Sequence, residues 1–513
     1  MSEIFLQSRS TRAILLVAFS LILVGLRWHT YHEPLERDLT NYAIIAHEML
    51  AGRRLYSDLW DHRTPLIFIT YAAAESAAGY GRRAIYGMNV AASLAVLFGM
   101  YAAGLGKKKN YTGAMGAALL WVLLSGDCYL EGNQPNTELF MNACLVWGFA
   151  IFYHARERLS RGSLLGAGIL LASATLYKHV AFAPLILLCA AHTAFPPSGQ
   201  SRHASFFQAV GIVLVSVVLW GSHFLYFWRT GRGQDFIDAV FRYNLYYIQS
   251  AGGGFWPRFV TVYRLLLADK GLVFLLPLFI FSLAGFAAAA FQSDSLKRSW
   301  ALWAAWTLGS FIAVASPARF FAHYFQLLIP PLILGTCFAL YPLTEIFGRR
   351  RVTLAAAVLL VMMAAHELPL YALPAETWSL KKYEDRFIEI RPAAESLNAL
   401  LEPAESFYNW GNDSGLYFES RRKPPTGVFL NEPLVAGPLA ERLSQRVLTD
   451  LQRTPPEIVI VSFYHTPADT KTSVVLAWIL QHYTVDPKAP PFHNFVFLMR
   501  RGGALESRTR AAR

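Results

Sequence analysis

The feature that most limits how this chain can fold is a succession of apolar runs, many near the ~20 residues a helix needs to cross a bilayer. They fall at about 13–29, 83–104, 111–126, 135–154, 163–177, 179–196, 206–228, 271–291, 299–316, 320–343 and 350–371. About eleven transmembrane helices are therefore expected. Between them lie short basic clusters: Lys107-Lys108-Lys109, Arg156/Arg158/Arg161, Lys297-Arg298 and Arg349-Arg350-Arg351. With the N-terminus in the cytoplasm, these clusters and Arg9/Arg12 all fall on the inner side. The short opposite loops then hold only Lys178 and Arg319, with Arg82-Arg83 as the exception. Positive charge retained inside is the usual orientation signal. No small-residue cleavage site follows the first run, Ala13–Trp28, which is expected to remain as a helix.

Composition agrees with a lipid solvent. The chain is 54% hydrophobic and 16% charged, against about a quarter charged in soluble domains. The net charge of +12 is spread through the inner clusters and forms no continuous basic face, which argues against nucleic acid as a partner. Cys128, Cys144, Cys189 and Cys337 form no CxxC or Cys/His pattern and read as small core residues.

Two segments depart from the apolar pattern. An odd number of spans places the tail, 372–513, on the outer face as a second domain after a membrane domain of 1–371. In the tail, "AESFYNWG", "EIVIVSFY" and "HNFVFLMR" read as strands, and "LAERLSQRVLTDLQR" and "TSVVLAWILQHY" as helices. That alternation predicts a small α/β domain. The other segment is the first outer loop, 30–82. There "LTNYAIIAHEML" and "PLIFITYAAAESAAGYG" are expected to lie at the interface as amphipathic helices.

Ionisable groups near the bilayer are costly, and here they collect on the outer side. Asp38 follows the first span. Asp58, Asp61, His62 and Arg63 sit in the first loop, Glu138 in "NQPNTELF", Lys178 in "LYKHVA", and Arg319, His323 and Tyr324 in "SPARFFAHYFQLLIPPL". A carboxylate can take the proton of an attacking hydroxyl. Arg and Lys can bind a phosphate and the charge that develops on it. The set therefore suits sugar transfer from a lipid phosphate. Plainer roles also exist. Asp38 can pair with Arg37, Arg63 can snorkel to headgroups, and Glu138 can open a helix capped by Thr137. Asp58 and Asp61 could share a metal, or Asp61-His62 could order the loop. No metal or other cofactor is assigned, because no Gly-rich phosphate fingerprint follows a strand and a metal lacks further support.

The stretch "ERDLTNYAIIAHEMLAGRRLYSDLWDHRTPL" resembles the first outer loop of GT-C-class glycosyltransferases of the protein-mannosyltransferase (family 39) and aminoarabinose-transferase kind. Those commonly carry "RDEGEYAY…ML.GG.PY.D.WD.KPPL". "NTELFM", "LYKHVA", "RFFAHYFQLLIPPL" and the tail's "FYNWGNDSGLYFESRRKPPTGVFL" resemble later motifs in the same order. The resemblance implies an inverting transferase that uses a polyprenyl-phosphate sugar in the bacterial inner membrane. Its acceptor would be a hydroxyl of a lipid, glycan or protein on the outer face. It implies that Asp38 is the catalytic base and that Arg63 contacts the donor phosphate. Asp61, His62, Glu138, Lys178, Arg319, His323 and Tyr324 are further candidates for substrate binding. Leu39 stands where the family's second acid is usual and Thr40 where Gly is, so a metal role of that acid has no residue here. The alternatives are a flippase for lipid-linked sugars, which predicts two related halves, and a non-catalytic membrane scaffold.

Overall fold

The computed structural model describes residues 6–106, 110–155, 157–290, 294–463 and 473–511. The basic residues Lys107-Lys108-Lys109 and Arg156, and the predicted ends at Tyr464 and Thr472, lie outside these ranges.

Every apolar run lies in a helical segment, beginning with α1 (Arg9–His29), and the segments differ in length. Among the described residues, five helical segments are long and apolar enough to cross a membrane: Arg9–His29, Arg82–Leu105, Arg202–Arg229, Ala322–Phe347 and Arg349–Ala372. Tyr111–Leu124, His179–Ala194 and Leu275–Ala290 are apolar but shorter. At 1.5 Å per residue a 14-residue helix reaches only about 21 Å, less than the ~30 Å hydrocarbon core. The expected run 111–126 ends two residues earlier, at Leu124, with Ser125 as its C-cap. Lys178 is extended (φ −162°, ψ 131°) and separates two short helices.

Polar caps fix where helices begin. Ser8, Asn110, Ser160 and Ser201 each accept a hydrogen bond from a backbone N–H of the first turn. Small residues then let the helices approach. A Cβ on Gly104 would stand 2.7 Å from the Ala114 backbone, and one on Gly285 would overlap Ala339.

After α1 the chain forms α2 (Arg37–Leu50) and α3 (Pro65–Ala78), and then α4 (Arg82–Leu105) enters the bundle. Pro65 sits in the first turn of α3, where its missing N–H costs nothing. The expectation for α2 needs correction. Asp38 through Ala46 are all buried, so α2 does not lie with one face in water. Tail residues cover it instead. Ser414 Oγ meets Thr40 Oγ1 at 2.9 Å and lies 2.9 Å from the Arg37 carbonyl.

The tail carries a four-stranded sheet in the order β1 (Phe407–Trp410), β2 (Ile458–Ser462), β4 (Phe495–Arg500), β3 (Tyr483–Val485). β1 and β2 are parallel, with Phe407 opposite Ile458, and β2 and β4 are antiparallel, with Ile460 opposite Phe497. Helices at 390–400, 440–453 and 474–482 pack around it, so the predicted α/β character is found. The helix expected to run to Tyr483 ends at His482, and Tyr483 opens β3. The tail is keyed to the bundle by a buried Lys382–Glu33 ion pair and by Trp378, which packs with Cys128 and Leu370.

Candidate active site

The site begins at the N-terminus of α2. Glu36 is the cap: its extended backbone leads into the helix and its Oε2 accepts the Asp38 N–H at 2.8 Å. Asp38 therefore lies in the first turn, where the helix dipole favours negative charge. Its Oδ2 is 2.6 Å from Arg63 Nη2, and its Oδ1 is 3.5 Å from Arg37 Nε without a hydrogen bond from the protein.

Arg63 is brought there by a strained loop. Tyr56 adopts φ +71°, uncommon for a bulky side chain, and its hydroxyl donates to the Arg63 carbonyl at 2.8 Å. Asp61 is fully buried. It accepts from Asn41 Nδ2 at 2.5 Å, from the Arg63 backbone N–H at 2.8 Å, and from Arg63 Nη1 at 3.0 Å. Asp61 is thus the fixture that aims Arg63 at Asp38. Asp58 does not join it. Its Oδ2 accepts from the Arg54 N–H at 2.9 Å, at the outer edge of the loop. The two acids weighed as a metal pair are committed to separate partners.

The other predicted residues join the same cluster. Lys178 Nζ pairs with the fully buried Glu138 at 2.6 Å and sits 3.7 Å over the Tyr324 ring. Thr137 donates to the other Glu138 oxygen at 2.8 Å, so Glu138 anchors a lysine as well as opening its helix. His323 touches Tyr324 edge-on at 4.9 Å and pairs through Nδ1 with Glu131 at 2.9 Å. His62 is flanked by Tyr243 and Tyr247. Tyr247 in turn lies 4.2 Å from the Arg319 guanidinium. Arg319 also donates to the Tyr247 carbonyl and to Ser250 Oγ at 3.1 and 2.8 Å. Among the described residues, no carboxylate pairs with Arg319.

The charges separate the two neighbouring acids. Burial would raise the Asp38 carboxyl, but Arg63 and Arg37 outweigh it and hold Asp38 well below the usual carboxylate range. Burial and the nearby charges of Asp38 and Glu131 push Glu36 up to about 8. At neutral pH Asp38 is an ionised acceptor beside a mostly protonated Glu36. Burial and Arg63 lower His62 to about 4, so it is neutral and can be no general acid at that pH.

Glu36 and Glu131 are the partners that sequence reasoning left out. Glu36 stood in full view beside Asp38, but its proton depends on charges from other elements. Glu131 had no motif; only its place seven residues before Glu138, in a polar loop between apolar helices, hinted at it.

No protein-family model matches the chain, and no curated protein does. Solved structures match in fold. ArnT from Cupriavidus metallidurans bound to undecaprenyl phosphate is 17% identical, covers 97% of this chain and 99% of its own, and superposes with a TM-score of 0.64. The apo state of that protein gives 0.62 at the same identity, covering 95% and 97%. The Archaeoglobus fulgidus oligosaccharyltransferase in the apo form is 14% identical, covers 89% of this chain and 70% of its own, and gives 0.52. These neighbours are GT-C glycosyltransferases, and the chain shares their fold, as the sequence motifs led one to expect.

Proposed function

We propose that this protein is an inverting glycosyltransferase of the bacterial inner membrane, moving a monosaccharide from a polyprenyl phosphate to a hydroxyl of an envelope lipid, glycan or protein. The tail and the first loop would face the periplasm and the N-terminus the cytoplasm, with the membrane domain ending near residue 371. The fold supports this reading, as does the undecaprenyl phosphate bound to ArnT. The observation that carries it is the Asp38–Arg63 pair: an ionised carboxylate with one oxygen free of hydrogen bonds, held by a guanidinium that a second buried acid keeps in place.

In this mechanism the acceptor oxygen attacks the sugar C1 as its proton passes to Asp38. The bond from C1 to the phosphate oxygen breaks, and polyprenyl phosphate leaves. Neutralising Asp38 releases Arg63 from its partner as negative charge builds on the leaving phosphate, so one guanidinium serves both states. Arg319 has no acid partner among the described residues and gives the phosphate a positive charge from the start. Lys178 adds a second, fixed by Glu138. Tyr324, His323 and the neutral His62 would contact the sugar.

The test is transfer by the purified, detergent-solubilised chain from a panel of radiolabelled undecaprenyl-phosphate sugars to delipidated and lipid envelope fractions. The reading expects a labelled acceptor with at least one donor. Absence of transfer from every donor sinks it.

A further inference from the structure

Away from this site, at the end of the helical segment 349–372, three metal-binding side chains converge. Asp127 lies in the loop after the Tyr111–Leu124 helix, and His366 and Glu367 close the helix that begins at Arg349. One ligand atom from each lies within 4.8 Å of the others. We propose that Asp127, His366 and Glu367 form a site for one divalent cation of the zinc class, which ties the 125–136 loop to that helix.

Geometry supports this in four ways. First, the Asp127 carboxylate is already oriented: Oδ1 accepts the Leu130 N–H at 2.7 Å, and Oδ2 is 2.9 Å from His366 Nε2. Second, the His366 ring is clamped, stacked on Phe274 at 4.2 Å and tilted against Tyr129 at 5.9 Å. Third, Glu367 is fully buried and neither of its carboxylate oxygens has a hydrogen-bond partner. A buried carboxylate without a donor is costly, and here it faces a second carboxylate. Fourth, the neighbouring Arg27 gives Glu367 no hydrogen bond, although its Nη1 is itself without a partner. Arg27 directs its hydrogen bonds to Asn89, Ser93 and Ser125.

Two carboxylates that share one point need either a common proton or a cation between them. The imidazole nitrogen aimed at the same point favours the cation, because nitrogen and carboxylate donors together suit zinc and its first-row neighbours. His366 retains 19% side-chain exposure, which gives an ion a way in. The loop such an ion would hold is the one that carries Glu131 to His323 and donates from Asn133 to Glu33. The ion would therefore be structural, fixing the floor of the site described above.

The test uses the full-length protein in detergent, stripped with EDTA, loaded with zinc chloride, dialysed, and assayed by plasma mass spectrometry. Wild type and Asp58→Asn, which removes a carboxylate elsewhere, are expected to retain about one zinc each. Glu367→Gln and His366→Ala should bind at least about tenfold more weakly, as metal sites respond to the loss of supporting groups. Zinc should also raise the melting temperature of the EDTA-treated wild type, a readout that stands even where a variant fails to fold. If stripped wild type takes up no more zinc than Glu367→Gln, or melts alike with and without it, a shared proton holds the two carboxylates and the proposal is wrong.

Discussion

Replacing Glu36 with Gln separates the two acids at the start of α2. Glu36 accepts the Asp38 N–H at 2.8 Å and holds its proton up to about pH 8, against an ordinary value of 4.5. Between those two values the folded protein binds more protons than the unfolded chain, so this group makes stability fall as pH rises through the window. The slope reaches about 1.4 kcal/mol per pH unit, and between about pH 5 and 7.5 the loss is of the order of 3 kcal/mol. Gln keeps the acceptor and removes the titration. Asp38, depressed by Arg63 and Arg37, works in the opposite sense: its stabilising effect is lost only in acid below that window. His62, lowered to about 4, makes wild type gain stability with rising pH between its folded and ordinary values. The quantity to follow is therefore the difference between wild type and Glu36→Gln, in which His62 cancels. Fluorescence-detected melting in detergent, across pH, measures it. The variant should gain on wild type steadily from pH 5 to 7.5 while retaining transfer. A difference that stays flat, or a variant that loses all activity, refutes a protonated Glu36.

Other substitutions probe the remaining contacts. Arg63→Met leaves Asp38 and Asp61 as buried acids without their cation and should cost about 3–5 kcal/mol, read by melting, with transfer abolished. Arg319→Ala breaks no ion pair among the described residues but loses its hydrogen bonds to Tyr247 and Ser250, so it should melt only slightly below wild type while donor turnover falls by about a hundredfold if it holds the phosphate. Gly427→Ala places a Cβ on the Asp58 carbonyl beneath the tail, where the Trp60 backbone N–H donates to the Gly427 carbonyl at 2.8 Å. It should cost about 3 kcal/mol and expose the tail to limited proteolysis.

What could be read along the chain was local. Asp38 and Arg63 showed as charges beside apolar runs and as a motif, and both fall in the cluster. Lys178 showed as a break in an apolar run, and it ends a helix there. What could not be read depended on distant partners. The proton on Glu36 is set in part by Glu131, the burial of α2 by Ser414 in the tail, and the fixing of the tail by Lys382 reaching Glu33. The helix Phe255–Ala268 was missed because Pro257 and Arg258 interrupt its apolar pattern, although Pro is tolerated in a first turn. β3 was missed because Tyr483–Val485 continues an apolar run whose end depends on pairing with β4.

The most direct measurement of the central claim compares wild type with Asp38→Asn, using a donor that wild type accepts. Asn keeps the shape and the helix start but cannot take the acceptor proton. Transfer should fall by about 10²–10⁴-fold, with the fold and donor binding retained. An Asp38→Asn variant that transfers sugar at the wild-type rate contradicts the assignment of Asp38 as the base.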